Sequence, residues 1–397
     1  MPSVCFYFEV HQPYRLRPYS FFDLGARNDY EDEQHNRDVM RKVAEKCYLP
    51  MNALLLDLIE RHQGRFRVSF SLTGIVIEQF MKYTPEVLNS FRALARTGCV
   101  EFLDETDNHS LACLFSEDEF RSQIARHRER MQELFGQSPR AFRNTELVYN
   151  NEVARIARDM GYSVILAEGT EKVLGWRSPH YLYHPEGCPD MKLMLRSYSL
   201  SDDIAFRFSD REWPAYPLMA ETFAGWLKNV KGNGDVINLF MDYETFGEHQ
   251  WAETGIFDFM RSLPDQVLSD PDLDFLTVSE AADRYAARDF LDVPGYISWA
   301  DAERSLSAWL GNDMQKDAFR ALYECLGLVK YVNDPALNED WRRLQTSDHL
   351  YYMGTPQAED GDVHKYFSPY KSPLEAYTNY MNILADFRIR LFAKANQ

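Results

Sequence analysis

Residues 236–247 read VINLFMDYETFG, a mostly apolar run that passes directly into Asp242 and Glu244. The run from Val236 to Met241 has the length and composition of a buried strand. An acidic residue directly after such a strand lies at the edge where α/β barrels and doubly wound sheets place their chemistry, because the loops that leave this edge enclose the ligand. The sequence therefore predicts a functional carboxylate at position 242.

A second acidic residue occupies the same kind of position earlier in the chain. Glu146 closes the triplet NTE at 144–146, which follows the apolar pair Ala141-Phe142. In one parallel sheet the two carboxylates would meet as an acid/base or nucleophile pair, which glycoside hydrolysis most often needs. A structural interpretation stays open for each: Glu146 can belong to the first turn of a helix, and Asp242 can be an N-cap.

Strand-like runs alternate with helix-periodic stretches through most of the chain, which is typical of βα units around a mainly parallel sheet. We therefore predict an α/β fold. The predicted strands are 4–10, 66–72, 99–103, 140–142, 163–167, 192–195 and 236–241, and the helices between them are 37–60, 85–96, 116–135, 151–160 and 220–230. Ser116 precedes Glu119 by three residues, which predicts a capping box at the start of one helix.

The pattern changes after Pro294, where no further strand is predicted. Helical patterns follow at 300–310, 315–332, 335–348 and 373–392. We predict two domains, a catalytic barrel-like domain over 1–294 and a C-terminal helical domain over 295–397. No Gly/Ser/Pro-rich linker separates them, so we expect the helical domain to pack on the barrel.

The composition narrows the function classes. With 397 residues, 45% of them hydrophobic, the chain can bury a large core, and its net charge of −18 disfavours a nucleic-acid partner. The six cysteines have no metal-ligand spacing, so we predict buried free thiols and expect no cofactor and no metal. No run approaches the roughly 18 apolar residues that cross a membrane, and the N-terminus lacks a signal-peptide pattern. We expect a cytoplasmic protein without membrane contact.

Several short motifs occur in order at the predicted strands. They are HQP at 11–13, GCVE at 98–101, TE at 145–146 and DYETFG at 242–247. This series resembles the motif pattern of glycoside hydrolase family 57, a retaining family of the α-amylase type. The resemblance runs from His11 to the segment that ends at Asp348, and it implies an incomplete, seven-stranded (β/α) barrel with a C-terminal helical bundle.

The resemblance also implies roles for the two carboxylates. Glu146 corresponds to the nucleophile, which attacks the anomeric carbon to give a covalent glycosyl-enzyme, and Asp242 corresponds to the general acid/base. A retaining mechanism needs carboxyls about 5 to 5.5 Å apart, one ionised and one protonated. We therefore expect Glu146 and Asp242 to face each other across one cleft.

Other residues are candidates for holding the sugar. Neutral groups after the first strand can bond to hydroxyls, a tryptophan face suits a glucose ring, and an aspartate can hold two vicinal hydroxyls. The candidate substrate-binding residues are His11, Gln12, His109, Glu244, Trp299, Trp309 and Asp348. Packing of the two tryptophans within the helical bundle, and a cap role for Asp348, stay open.

Three classes of function remain. The first is a retaining hydrolase of α-1,4-glucans such as starch, glycogen or maltodextrins, with a 4-α-glucanotransferase or branching enzyme as its nearest alternative. Residues 101–106 lack the glycine-rich continuation common in the family, which favours the hydrolase. The second is a metal-dependent hydrolase or deacetylase built from histidines 11, 109, 249 and 349, although the first strand ends in HQP and not in an H-x-D pair. The third is a glucan-binding protein without activity, against which the presence of both carboxylates argues.

Overall fold

A computed structural model describes residues 2–356 and 366–397. Parallel strands form its centre, and all seven predicted strands are confirmed to within two residues at either end. The strands are β1 Ser3–Val10, β2 Val68–Leu72, β3 Val100–Phe102, β4 Ala141–Arg143, β5 Val164–Glu168, β6 His184–Pro185, β7 Lys192–Arg196, β8 Val236–Asp242, β9 Asp274–Phe275 and β10 Phe290–Leu291. The short strands β6, β9 and β10 lie outside the seven that carry the predicted pattern.

The seven strands enclose an incomplete barrel. One sheet has the order β3-β2-β1-β8 and another has the order β4-β5-β7. The two sheets meet through a single parallel bridge between Asp104 and Phe142 on one side. On the other side Ser197 N–H donates to the carbonyl of Asn238 at 2.8 Å. Because all these strands are parallel, their carboxyl ends share one rim.

The alternation of side chains along β1 explains how the barrel is packed. Phe6 and Phe8 face the surrounding helices and belong to the largest apolar cluster. Tyr7 points to the opposite face and packs on Phe240 of β8 at a ring distance of 4.5 Å. Glu9 continues the inward-facing set at the carboxyl end, where it is buried. The strand is therefore buried on both faces, as its apolar run indicates.

Helices surround the strands. Their bounds are α1 Glu33–Val43, α2 Leu49–Arg61, α3 Gly74–Tyr83, α4 Pro85–Arg96, α5 Glu117–Phe135, α6 Asn151–Asp159, α7 Glu171–Leu174, α8 Tyr198–Ala205, α9 Ala220–Lys228, α10 Ile256–Leu268 and α11 Val278–Arg284. The predicted helix 37–60 is two α-helices joined by the π-helical segment Ala44–Tyr48. The predicted capping box forms only by half: Ser116 caps Glu119 N–H at 3.3 Å, while the Glu119 carboxylate accepts from Gln123.

In the described part of the chain after residue 294, the regular secondary structure consists of helices. Its helices are α12 Ser307–Leu310, α13 Asp313–Tyr323, α14 Leu326–Val332, α15 Pro335–Leu344, α16 Asp348–Tyr351 and α17 Pro373–Ala395. The prediction of a helix over 300–310 is wrong for residues 300–306, and the predicted helix 315–332 is divided in two. Side chains such as Trp309 and Ile383 share one apolar cluster with Phe142 and Ile165 of the barrel. The domain division at 294 stays a prediction.

The six cysteines are free, and five of them are buried. The prediction of buried free thiols is therefore confirmed except for Cys113, which is partly exposed. Within the described parts of the chain, no helix has the length and apolar character that a membrane crossing requires.

Candidate active site

A cleft of about 450 Å³ opens at the rim where the barrel strands end. Most of the predicted site residues line it, although their positions along the chain extend from 11 to 348. The lining members are His11, Gln12, Glu146, Asp242, Glu244, Trp299, Trp309 and Asp348. The remaining predicted residue, His109, is fully buried and contacts Glu146 from behind.

A tight turn after β4 presents Glu146 to the cleft. Glu146 and Leu147 have φ values of 56° and 50°, a left-handed conformation that costs about 1 to 3 kcal/mol per non-glycine residue and persists where the surroundings impose it. Asn144 Nδ2 donates to the carbonyl of Val148 at 2.8 Å and thereby spans the turn. The alternative that Glu146 lies in the first turn of an α-helix is wrong, because α6 begins at Asn151.

Two donors hold the carboxylate of Glu146. His109 Nε2 lies 2.8 Å from Oε1, and the indole N–H of Trp299 donates to Oε2 at 2.7 Å. Burial alone would raise the pKa of Glu146, but these contacts and the charge of Arg143 keep the pKa below its ordinary value. The carboxylate is therefore ionised at neutral pH, as a nucleophile must be.

His109 carries positive charge behind the cleft. Its Nδ1 lies 3.4 Å from Glu105 and 3.5 Å from Glu9. Burial opposes protonation, but the hydrogen bonds to Glu105 and Glu146 and the charge of Glu9 raise the pKa of His109 well above its ordinary value. The ring of His109 also stacks on the ring of His11 at 3.9 Å. In this position it supports Glu146 and does not reach a ligand in the cleft.

Asp242 has the opposite environment. It ends β8, and among the described residues its carboxyl forms no hydrogen bond or ion pair. Burial, followed by the charges of Glu9, Glu244 and Glu146, raises the pKa of Asp242 well above its ordinary value. Asp242 occupies the N-cap position of the turn that begins at Tyr243, but its side chain forms no capping hydrogen bond there. A raised pKa favours the protonated form of this carboxyl, which is the form that a general acid requires.

His11 and Asp348 form a polar pair at one side of the cleft. His11 Nδ1 contacts the hydroxyl of Thr73 at 2.9 Å, and its Nε2 contacts Asp348 Oδ2 at 2.9 Å. Burial and the charge of His109 lower the pKa of His11, so its ring is neutral. Asp348 therefore accepts a hydrogen bond from another chain segment and is not simply a helix cap.

Glu244 and Gln12 lie near each other at the cleft. The Tyr48 hydroxyl donates to the Glu244 carboxylate, and burial raises the pKa of Glu244 to about 7 although hydrogen bonds from Tyr48 and Gln12 oppose this. The side-chain oxygen of Gln12 accepts from Arg15 Nη2 at 2.8 Å. Both residues are thus fixed by protein contacts while they border the cleft.

The two tryptophans that were predicted to bind substrate, Trp299 and Trp309, differ in their surroundings. Trp299 packs on Phe240 of the barrel at 4.7 Å and lies 5.3 Å from the Arg196 guanidinium, so its surroundings are those of the cleft. Trp309 is only 1% exposed and packs beside Tyr351 within the helical cluster. The packing alternative therefore describes Trp309 better than it describes Trp299.

The sequence analysis missed four charged residues at this rim, which are Glu9, Glu105, Arg143 and Arg196. Arg143 Nη1 donates to Glu9 Oε1 at 2.6 Å, and Arg196 Nη1 donates to Glu168 at 3.0 Å. A signal was present, because Glu9 interrupts an apolar strand and Arg143 directly precedes the NTE triplet.

Two side-chain groups have the spacing of metal donors, with ligand atoms within 4.8 Å of one another. They are His11, His109 and Asp348, and Glu9, Glu105 and His109. Both groups include His109, whose two ring nitrogens lie 3.4 Å from Glu105 and 2.8 Å from Glu146. Both nitrogens of His11 also have protein partners. The donor chemistry is that of a hydrogen-bonded network.

Comparison with known proteins gives the family of this chain. The model of "Glycosyl hydrolase family 57" matches residues 5–294. A protein of Methanocaldococcus jannaschii described as "Putative alpha-amylase" is 45% identical over 401 residues, which cover 97% of this chain and 84% of that protein. These matches define a glycoside hydrolase that acts on a carbohydrate. The chain belongs to glycosyl hydrolase family 57, as its motifs predict.

Solved structures show the same fold. A family 57 branching enzyme from Thermococcus kodakaraensis has a TM-score of 0.67 at 14% identity, with 98% of this chain and 90% of that chain covered. A 4-α-glucanotransferase from Thermococcus litoralis has a TM-score of 0.65 at 16% identity, with 88% of this chain covered. This chain spans only 56% of the glucanotransferase. The predicted fold, an incomplete (β/α) barrel with a C-terminal helical region, is confirmed.

Proposed function

We propose that this protein is a retaining hydrolase of α-1,4-glucans such as starch, glycogen or maltodextrins, with an α-amylase-like activity. The observation that carries the proposal is the unequal environment of two carboxyl groups on one cleft. Glu146 is hydrogen-bonded to His109 and Trp299, whereas Asp242 is half-buried and lies among other carboxylates. The pKa of the first group is lowered and the pKa of the second is raised, which is the division that a retaining mechanism needs.

In the first step, Asp242 gives its proton to the glycosidic oxygen while Glu146 attacks the anomeric carbon. The bond to the leaving sugar breaks, and a covalent glycosyl-enzyme forms on Glu146. In the second step Asp242, now a carboxylate, takes a proton from water, and the water oxygen displaces Glu146. We expect the two carboxyl groups to lie about 5 to 5.5 Å apart for this chemistry.

The remaining cleft residues hold the sugar in this proposal. The neutral His11 and the carboxylate of Asp348 bond to hydroxyls, and Gln12 and Glu244 do so as well. Trp299 offers an indole face to a glucose ring, and Trp309 contributes a wall. His109 acts through Glu146, in contrast to the direct contact that the sequence predicts for it.

We also propose a cellular location and a domain division for this enzyme. The free cysteines fit a reducing compartment, so we place the enzyme in the cytoplasm. We also propose that residues 1–294 form the catalytic domain and that residues 295–397 form a helical domain, although Trp299 from the second contacts Glu146 in the first.

Maltoheptaose is the substrate that tests this function. Wild type should release shorter oligosaccharides from the first time points, and their fresh reducing ends should be α-anomers by NMR. Oligosaccharides longer than maltoheptaose at early times would instead identify a 4-α-glucanotransferase or a branching enzyme.

Two matched variants separate catalysis from binding. Glu146→Gln should lose turnover and still bind maltoheptaose, because the amide keeps the shape of the side chain but cannot attack. Glu152→Gln removes an exposed carboxylate on α6 that pairs with Arg155, and its activity should equal that of wild type. Full activity in Glu146→Gln would overturn the assignment.

A further inference from the structure

A second carboxyl group lies beside the proposed acid. Glu9 of β1 is the direct register partner of Asp242 of β8. Paired residues on parallel neighbours present their side chains to the same face, and both of these residues line the cleft. Glu9 is buried and Asp242 is half-buried, and ionisation of two such adjacent carboxyls is costly, so one of them is favoured to hold a proton.

The protein surroundings distinguish the two carboxyls. Both oxygens of Glu9 are bound by the guanidinium of Arg143, in a bidentate pair that is buried. Arg143 in turn lies 3.7 Å from Glu105 and 5.1 Å from the ring of Phe240, which fixes its position inside the barrel. Within residues 2–356 and 366–397, Asp242 has no cationic partner of this kind.

We propose that Glu9, whose carboxylate form is stabilised by the bidentate contact with Arg143, keeps the catalytic proton on Asp242 and is thereby a positioning residue for the reaction. This inference rests on the proposed function, because it assigns a role relative to the acid/base. It also extends to the second step: once Asp242 has given up its proton, the negative charge of Glu9 makes Asp242 a stronger base toward water.

Other charged groups around Asp242 do not replace Glu9. The groups that face Asp242 from the packed elements are Glu9 on β1, Arg143 on β4, Glu146 on the turn after β4 and Glu244 on its own segment. After burial, the charge of Glu9 raises the pKa of Asp242 more than either other carboxylate does. The neighbouring Arg196 is already bound to Glu168 and Asp202.

The pair titrates as a unit. Burial raises the pKa of Glu9 to about 7 against the opposing charge of Arg143, and Glu146 and Glu105 contribute in the same direction as burial. A proton taken up by Glu9 therefore competes with one on Asp242, and the pH dependence of the reaction reports both groups.

The test is the pH profile of kcat/KM on maltoheptaose for Glu9→Gln. Loss of the negative neighbour should lower the pKa of Asp242, so that the alkaline limb moves to lower pH by about one pH unit, the scale of an adjacent like charge. Glu9→Asp keeps the charge and should leave the alkaline limb near its wild-type position. A purely structural role for Glu9 would lower activity without moving the limb, and that result would overturn the inference.

A matched control uses another glutamate of the same barrel that is half-buried. Glu101 of β3 accepts a hydrogen bond from Ser279 N–H at 2.9 Å and lies away from the cleft, at the opposite end of the strands. Glu101→Gln should leave the alkaline limb unmoved. If it shifts the limb as much as Glu9→Gln does, the effect is a general one of buried charge and the inference is wrong.

Two further measurements distinguish failure of the inference from misfolding of Glu9→Gln and from failure of the proposed function. If Glu9→Gln does not fold, the double variant Glu9→Gln/Arg143→Met removes the buried pair together, which proteins tolerate better than one unpaired charge. Its alkaline limb should still lie below that of wild type, and an unmoved limb overturns the inference. The proposed function fails separately, if Glu146→Gln stays active.

Discussion

The indole N–H of Trp299 donates a 2.7 Å hydrogen bond to Glu146 Oε2, and the backbone N–H of Trp299 approaches the carbonyl of Glu146 at 3.4 Å. Trp299 lies beyond residue 294, where the family match ends. The segment that follows the barrel therefore completes the environment of the proposed nucleophile. A barrel without this segment would leave Oε2 of Glu146 without its donor.

Trp299→Phe tests this contact. The variant keeps an aromatic ring but removes the N–H, and a hydrogen bond to a charged group contributes about 1.5 to 3 kcal/mol. We expect kcat/KM to fall by roughly 10- to 100-fold, and its acid limb to move to higher pH because the pKa of Glu146 rises. Trp309→Phe is the control, since Trp309 forms no such bond to Glu146 and should keep the wild-type acid limb. If the acid limb of the pH profile lies at the same pH in wild type, Trp299→Phe and Trp309→Phe, this account is contradicted.

His109→Gln removes a positive charge that the cleft does not contact. The pKa of Glu146 is held low mainly by His109, so its loss should move the acid limb of the pH profile upward. We expect kcat to fall at least ten-fold while KM changes little, because His109 does not line the cleft. His127→Gln is the matched control: His127 is equally buried but pairs with Asp104. A change confined to KM would show that His109 binds substrate directly.

The lowered pKa of Asp348 predicts that this residue contributes to stability in a pH-dependent way. Burial would raise the pKa of Asp348, but His11 and the charge on His109 hold it below its ordinary value. A lowered folded pKa stabilises the protein above the unfolded pKa, near 3.9, and this contribution is lost as the pH falls through the folded value. Asp348→Asn should therefore lower the free energy of unfolding by about 1 to 3 kcal/mol at pH 7 and by progressively less below pH 4.

The control for Asp348 is an exposed pair. Asp283 binds Arg140 at the surface, where both side chains are more than half exposed, so Asp283→Asn should change the free energy of unfolding by at most about 1 kcal/mol. Denaturant titrations between pH 3 and pH 7 measure both differences. A pH-independent loss in Asp348→Asn would contradict the ionised assignment.

Removal of metal ions tests the donor groups around His109. We expect activity on maltoheptaose to be the same before and after dialysis against a chelator, because His109 is protonated and both nitrogens of His11 are occupied. Metal content by mass spectrometry and activity are measured on the same samples. Loss of activity that added zinc restores would favour a metal-dependent hydrolase.

The strands were predictable because a parallel sheet is buried on both faces and its strands are continuous apolar runs. The helix α3 was missed because GIVIEQFMKY begins with an apolar run, although Val76, Phe80 and Tyr83 recur at helical spacing. Its formation depends on the Thr73 cap and on packing against the barrel, where residues such as Ile75 and Phe80 are buried.

The segment 300–306 shows the limit of helix patterns. Its sequence predicts a helix, but Asp301 and Arg304 have positive φ values. Arg304 lies 3.6 Å from Asp202 and 3.9 Å from Glu168, and it also bonds to the carbonyl of Trp299. Asp202 and Glu168 are distant from Arg304 in sequence, so local helix propensity could not reveal the conformation that they stabilise.

The two proposed catalytic carboxylates were predictable because each follows a strand. Glu9 and Arg143 were not, because their pairing spans 134 positions and depends on β1 and β4 being brought to one barrel. A charged residue within an apolar strand is the signal that identifies such a pair. His109 was found, but its burial behind Glu146 reflects the fold and not its sequence neighbours.

The covalent intermediate is the most direct test of the account. Asp242→Asn with α-maltosyl fluoride should accumulate it, because a fluoride leaving group needs little acid assistance while the second step lacks its base. After denaturation and proteolysis, mass spectrometry should find one maltosyl group on the peptide that contains Glu146. A maltosyl group on Glu9 or Glu244, or a β-anomeric product from wild type with no labelled peptide, would contradict it.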